Sequence, residues 1–273
     1  LRSNVWLWRI LGLTTLVCTI ALVGGFGWAL KDNWFPSSGL LISDTGQAES
    51  PTATGGAWTD KKELIVTALG DSLTVGTGDV NGEGYVRDVT DGLSKALDKP
   101  VRLLNNMAVG GLRADELAEL LDEKGYRNGV GQADIVLLTI GGNDMFQIAG
   151  SGGSVAEGSD LSPELLQQRL PEAERRLASV FKKLRAINPN ARIVYIGLYN
   201  PFYDLPAMRP ASDIILDWNA VAHKLAEADG NATVVPTYDL FETRITDYLS
   251  SDHFHPNTFG YARIAQRVVQ ALH

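Results

Sequence analysis

Four short stretches of this chain carry residues suited to nucleophilic chemistry, and they are spread over most of its length. The first is Gly70-Asp71-Ser72-Leu73. A serine hydroxyl is a weak nucleophile unless it stands on a tight turn beside a base. Gly70 permits such a turn, and a helix starting after Ser72 would aim backbone N–H groups at the same spot. Taken alone, the tetrapeptide also describes an ordinary turn or helix cap.

The second stretch is Asn106-Met107-Ala108-Val109-Gly110-Gly111, whose glycines let backbone approach a ligand and present unshielded N–H groups. The third is Gly141-Gly142-Asn143-Asp144, where the Asn143 amide could donate to a developing oxyanion or simply close an Asx-turn. The fourth is Asp252-His253-Phe254-His255-Pro256-Asn257. An Asp three residues before a His can fold back to orient its imidazole and stabilise the imidazolium. Pro256 stiffens the backbone after His255, and Asn257 can cap a final helix. A metal site on His253, His255 and a carboxylate is the competing reading of this stretch. It is short of nitrogen ligands, because the other two histidines, His223 and His273, fall in mid-helix and at the terminus. His253 is read as structural.

These stretches need elements to hold them. Glu63–Leu69, Val101–Asn105, Ile135–Ile140, Arg192–Gly197 and Thr233–Pro236 read as five short strands, the third apolar throughout as in a sheet buried on both faces. Between them, Ala114–Leu121, Leu166–Ile187, Ser212–Ala228 and Asn257–Leu272 repeat apolar residues every three or four positions, which marks amphipathic helices. Pro171 is expected to interrupt and kink the second of these. Strand–helix alternation implies an α/β fold with a parallel sheet and helices on both faces. In such a sheet, ligands bind beyond the carboxyl ends of the strands, where the first three stretches lie.

The amino-terminal part differs. No charged residue occurs from Ile10 to Leu30, a run that at about 1.5 Å per helical residue covers a bilayer core of roughly 30 Å. Trp6 and Trp8 stand at one end, Trp28 and Trp34 at the other, as in interfacial belts. The expected organisation is a cytoplasmic 1–9, a transmembrane anchor over 10–30, a flexible linker over 31–60 and a catalytic domain over 61–273. Arg2 and Arg9 before the span place the domain outside the membrane. Secretion after signal cleavage is the alternative. It would need a clearer small-x-small site than Gly27-Trp28-Ala29. Lipidation of Cys18 is not expected with Val17 before it. As Cys18 is the only cysteine, no intramolecular disulfide can form. The formal net charge of −8 argues against nucleic acid as a partner.

The Gly-x-Ser-x-Gly pattern of α/β-hydrolases is absent, since Thr74 occupies its last position. The four stretches in order instead resemble the SGNH, or GDSL-type, lipases and esterases. The matching blocks are Gly70-Asp71-Ser72-Leu73, Asn106-x-Ala108-x-x-Gly111, Gly141-x-Asn143-Asp144 and Asp252-x-x-His255, and the resemblance covers roughly Leu64 to His273. It implies a three-layer α/β/α fold with a five-stranded parallel sheet of flavodoxin-like order. It implies a catalytic triad of Ser72, His255 and Asp252, and an oxyanion hole built from the backbone N–H groups of Ser72 and Gly111 and the side chain of Asn143. It implies no cofactor and no metal. The anchor and linker lie outside the family domain and resemble extracytoplasmic members from Gram-positive bacteria.

The expected substrate is a lipid or small-molecule ester with a short to medium acyl chain, lysophospholipids included. A cell-wall carbohydrate O-acetylesterase and a non-catalytic binding domain are the alternatives. Met145, Phe146, Ile148, Phe202, Tyr203, Leu205 and Met208, in or beside the loops Ile148–Ser162 and Asn200–Ala211, are expected to wall the acyl site. Oligomeric state is not legible in the sequence.

Overall fold

The computed structural model describes residues 5–34, 60–146 and 162–273. The chain divides into two compact units, Leu1–Thr52 and Ala53–His273.

In the first unit, α1 (Val5–Trp34) is one uninterrupted helix that runs through the expected span and four residues past it. The described side chains from Arg9 to Val23 are all exposed. Thr14, Thr15 and Thr19 turn their hydroxyls back onto the carbonyls of Ile10, Leu11 and Thr15, so these polar groups are satisfied within the helix. Side chains of α1 are described only at Trp6 and from Arg9 to Val23, and among the described residues alone no helix is long and apolar enough to cross a membrane. The expected linker lies mostly outside the described residues.

In the second unit, the elements in chain order are β1 (Leu64–Gly70), α2 (Ser72–Val75), α3 (Val86–Leu97), β2 (Val101–Asn106), α4 (Ala114–Leu120), α5 (Lys124–Gly131), β3 (Ile135–Thr139), α6 (Gly142–Phe146), α7 (Pro163–Ile187), β4 (Arg192–Ile196), α8 (Ala211–Asp229), β5 (Ala232–Val235), α9 (Tyr238–Glu242), α10 (Ile245–Tyr248) and α11 (Thr258–Leu272). The five strands form one sheet in the order β2-β1-β3-β4-β5, and every pairing is parallel. This is the flavodoxin-like order, and each expected strand is present with ends shifted by a residue.

Alternation along β3 shows how the layers form. Val136 and Leu138 face the cluster that holds Leu117, Leu177 and Trp218 of α4, α7 and α8. Ile135 and Leu137 face the opposite cluster, with Val89 and Leu93 of α3 and Ile264 and Val268 of α11. A strand apolar at every position is what a sheet covered on both faces requires.

Contrary to expectation, α7 runs unbroken through Pro171. Pro171 is exposed, while Leu166, Leu170, Ala173, Leu177, Val180 and Leu184 on either side of it are buried. The proline removes one backbone hydrogen bond on the solvent side at a cost of about 3 kcal/mol. Burial of six apolar side chains, each contributing roughly 1.5–3 kcal/mol when large, outweighs it.

The chain passes from β1 outward to β2, then crosses back to β3 on the other side of β1. The carboxyl ends of β1 and β3 therefore flank the topological switch point, where a crevice opens in sheets of this kind.

Candidate active site

The switch point is where Ser72 lies. Gly70 ends β1 at φ +133°, and a Cβ there would sit 1.9 Å from the carbonyl oxygen of Thr139, so only glycine fits. Asp71 follows as the cap of α2, its carboxylate accepting from Leu73 N–H at 3.1 Å and from the Thr139 hydroxyl at 2.7 Å. Its own N–H donates to Thr139 O at 3.1 Å. These bonds fasten the turn bearing Ser72 to the end of β3. Burial raises the Asp71 carboxyl above its ordinary value, against the opposing hydrogen bonds from Thr139 and Leu73.

The partner of Ser72 arrives from the far end of the sequence. His255 Nε2 lies 2.8 Å from Ser72 Oγ, and His255 Nδ1 lies 2.6 Å from Asp252 Oδ2. The other oxygen of Asp252 accepts from Ser250 Oγ at 2.7 Å and from the N–H groups of Phe254 and His255, both at 2.9 Å. Burial alone would raise the Asp252 carboxyl, but the hydrogen bonds from His255, Phe254 and Ser250 prevail and hold it well below the usual carboxylate range. An ionised Asp252 can only accept, so the imidazole proton is assigned to Nδ1, leaving Nε2 free to accept from the serine hydroxyl.

The loop bearing His255 is closed on itself. Ser250 N–H donates to His255 O at 2.8 Å, and Leu249 pairs with Pro256. Asn257 caps α11 through Gly260 N–H at 3.0 Å, as its position suggested. From the segment after β4, the Tyr199 hydroxyl donates to Phe254 O at 2.7 Å.

Asn143 is 6% exposed, and one of its amide hydrogens goes to Leu112 O at 3.0 Å. Ser72 and Asn143 border the same cleft. Gly111 does not line that cleft. It stands one residue before Leu112 at φ +81°, on a loop tied to β1 by the Val109 N–H bond to Gly70 O at 2.9 Å. His253, at φ +58°, turns away to meet Asp204 at 2.9 Å. The two neighbouring histidines therefore face different partners. Among the described residues no three His, Cys, Asp or Glu side chains gather as a metal set.

The apolar wall differs from the expected one. Phe146 borders the cleft, but the rest of its apolar side is Leu73, Ile196, Leu198, Tyr199, Pro201 and Phe254. Met145, Phe202 and Met208 are buried in the core behind it, Leu205 is exposed, and Ile148 lies outside the described residues. Phe202 supports the wall from behind, 5.6 Å from Phe146 and 6.1 Å from Phe254 between ring centres. Sequence reasoning passes over Tyr199, Ser250, Asp204 and the carboxylates of Asp71 and Asp144. Asp71 and Asp144 are visible inside the first and third blocks. Tyr199 and Asp204 have no local signal.

Comparison with known proteins identifies the family. The sequence pattern of the GDSL-like lipase/acylhydrolase family matches residues 68–263. An uncharacterised protein of Bacillus subtilis, YpmR, is 36% identical over 78% of this chain and 82% of its own length. The spore germination lipase LipC of Bacillus licheniformis is 29% identical over 75% of this chain and 94% of its own. The crystal structure of Lip_vut3, a lipase from a goat rumen metagenome, superposes with a TM-score of 0.66 at 28% identity, covering 76% of this chain and 97% of that one. The chain belongs to the GDSL-like lipase/acylhydrolase family and is a carboxylic ester hydrolase.

Proposed function

We propose that the chain cleaves esters of short to medium apolar acyl chains, lysophospholipids included, through an acyl-enzyme on Ser72. The observation that carries the mechanism is the unbroken relay from Ser72 Oγ through His255 to Asp252. Ser72 attacks the acyl carbonyl as His255 Nε2 takes its proton, and Asp252 stabilises the imidazolium. The oxyanion is met by the N–H groups of Ser72 and Gly111 and by the Asn143 amide hydrogen not used on Leu112. His255 then protonates the departing alkoxide, and a water repeats the sequence to free the acid. Support for the acyl preference is the wall of Phe146, Leu198, Tyr199, Pro201 and Phe254 beside Ser72. Each methylene buried there contributes roughly 0.8 kcal/mol. The values of kcat/KM for acetyl, butyryl, octanoyl and palmitoyl esters, measured beside an acetylated polysaccharide, test the reading. Rates should rise beyond acetyl until the wall ends. A sharp optimum at acetyl with strong deacetylation of the polymer would instead identify a carbohydrate O-acetylesterase.

We further propose that α1 anchors the chain as a single pass in the cell membrane, with the catalytic unit on the outer side. Its uncharged run and internally satisfied threonine hydroxyls suit a helix in lipid. The intact chain should fractionate with membranes, and deletion of residues 1–35 should give a soluble, active enzyme. Protease added to intact cells should release the catalytic unit; a membrane-bound chain that resists release contradicts the orientation.

A further inference from the structure

Two of the proposed oxyanion donors come from elements that are not neighbours. Gly111 follows β2 and Asn143 follows β3, and β1 lies between those strands. Each loop is tied to β1, by Val109 N–H to Gly70 O at 2.9 Å on one side and by Asp71 N–H to Thr139 O at 3.1 Å on the other, and bonds that reach over β1 join the two loops directly. Two such bonds are present. Asn143 Nδ2 donates to Leu112 O at 3.0 Å, and Ala114 N–H donates to Asp144 Oδ2 at 2.9 Å. Ala114 opens α4, and its N–H is one of the donors a helix start leaves unpaired. The preceding Arg113 has no side-chain acceptor for it, so a carboxylate from α6 fills the role. The Asp144 side chain is 1% exposed, and its second oxygen lies 3.4 Å from Arg176 of α7. Arg176 also meets Asp115 at 3.5 Å and Glu172 at 3.3 Å, which fixes the guanidinium between α4, α6 and α7.

We infer that Asp144 is a positioning residue for the oxyanion hole, setting the Gly111 N–H against the Asn143 amide through its bond to Ala114. This rests on the proposed roles of Gly111 and Asn143. Burial raises the Asp144 carboxyl to about 6, with the Ala114 and Arg176 bonds opposing, so near neutral pH it accepts as a carboxylate.

The test uses the full-length chain, with kcat, KM, thermal midpoint and inhibition by butaneboronic acid, which forms a tetrahedral adduct on serine. Asp144→Ala should lower kcat by about 10²-fold with KM nearly unchanged and weaken the boronate in parallel. Asp144→Asn keeps an oxygen acceptor for Ala114 and should restore most of that loss. Ala114→Pro deletes the donor at the other end. Arg113, at φ −97° and ψ 165°, already has the backbone a following proline requires. It should copy Asp144→Ala, and it decides the matter if that variant does not fold. A folded Asp144→Ala or Ala114→Pro with wild-type kcat overturns the inference, as does a loss confined to KM or an Asn variant no better than Ala. Ser72→Ala is assayed alongside: if it still turns over, the catalytic reading itself fails, whereas an inactive Ser72→Ala beside an unimpaired Asp144→Ala refutes this inference alone.

Discussion

Replacing Asn143 with Ala should separate transition-state stabilisation from substrate binding. The amide is buried and has two hydrogens, one of them committed to Leu112 O at 3.0 Å. In the proposed oxyanion hole the other meets charge that develops only as the tetrahedral intermediate forms. Losing one such donor costs about 10²–10³ in rate, roughly 3–4 kcal/mol. The ground-state carbonyl gains little from it, so KM should move far less than kcat. There is also a folding cost, because Leu112 O loses its buried donor, worth about 1–3 kcal/mol. For a unit of this size each kcal/mol lowers the midpoint by roughly 2–4 °C, so assays at 25 °C still read a folded enzyme. The measurement is kcat and KM on p-nitrophenyl butyrate, with the melting curve and butaneboronic acid affinity of the same preparations. An unchanged kcat with a raised KM, or an undiminished boronate affinity, would falsify the oxyanion role and leave Asn143 as a loop brace.

His255→Ala should remove activity almost completely, whereas His253→Ala, whose imidazole is 46% exposed and bonds only Asp204, should be much milder; the reverse ranking in the same ester assay refutes the triad. Gly70→Ala should leave little folded, active enzyme, since the new Cβ meets Thr139 backbone and φ +133° is strained; a normal melting curve and normal kcat would contradict the close approach of β1 to β3. The depressed carboxyl of Asp252 contributes stability that is complete above the ordinary value near 3.8 and fades as pH falls below it, so the acid limb of a stability–pH curve should be shallower in Asp252→Asn. Asp144 has the opposite sign. With its folded value raised to about 6, the folded chain keeps a proton that the unfolded chain has already lost. Stability should therefore fall as pH rises from near 3.8 to about 6, and Asp144→Asn should flatten that slope.

Much of the site is legible in the sequence because its chemistry is written in local patterns. Gly70-Asp71-Ser72, Gly141-x-Asn143 and Asp252-x-x-His255 each do their work within a few residues, and strand ends are marked by where apolar runs stop. The five strands and the α/β class follow from the same periodicity, since burial on both sheet faces demands continuous apolar strands. Local pattern carries no information on which distant groups converge. That Tyr199 holds Phe254, that Asp204 meets His253 and that Asp144 reaches Ala114 depend on the crossing of chain segments far apart in sequence. The acyl wall departs from the sequence expectation for the same reason. Apolar loop residues can face the cleft or the core, and only packing sends Phe202 and Met208 inward while Leu198 and Pro201 line the cleft. Pro171 shows the same limit in reverse: a local rule for breaking helices is overridden when buried side chains on both sides hold the helix to the sheet.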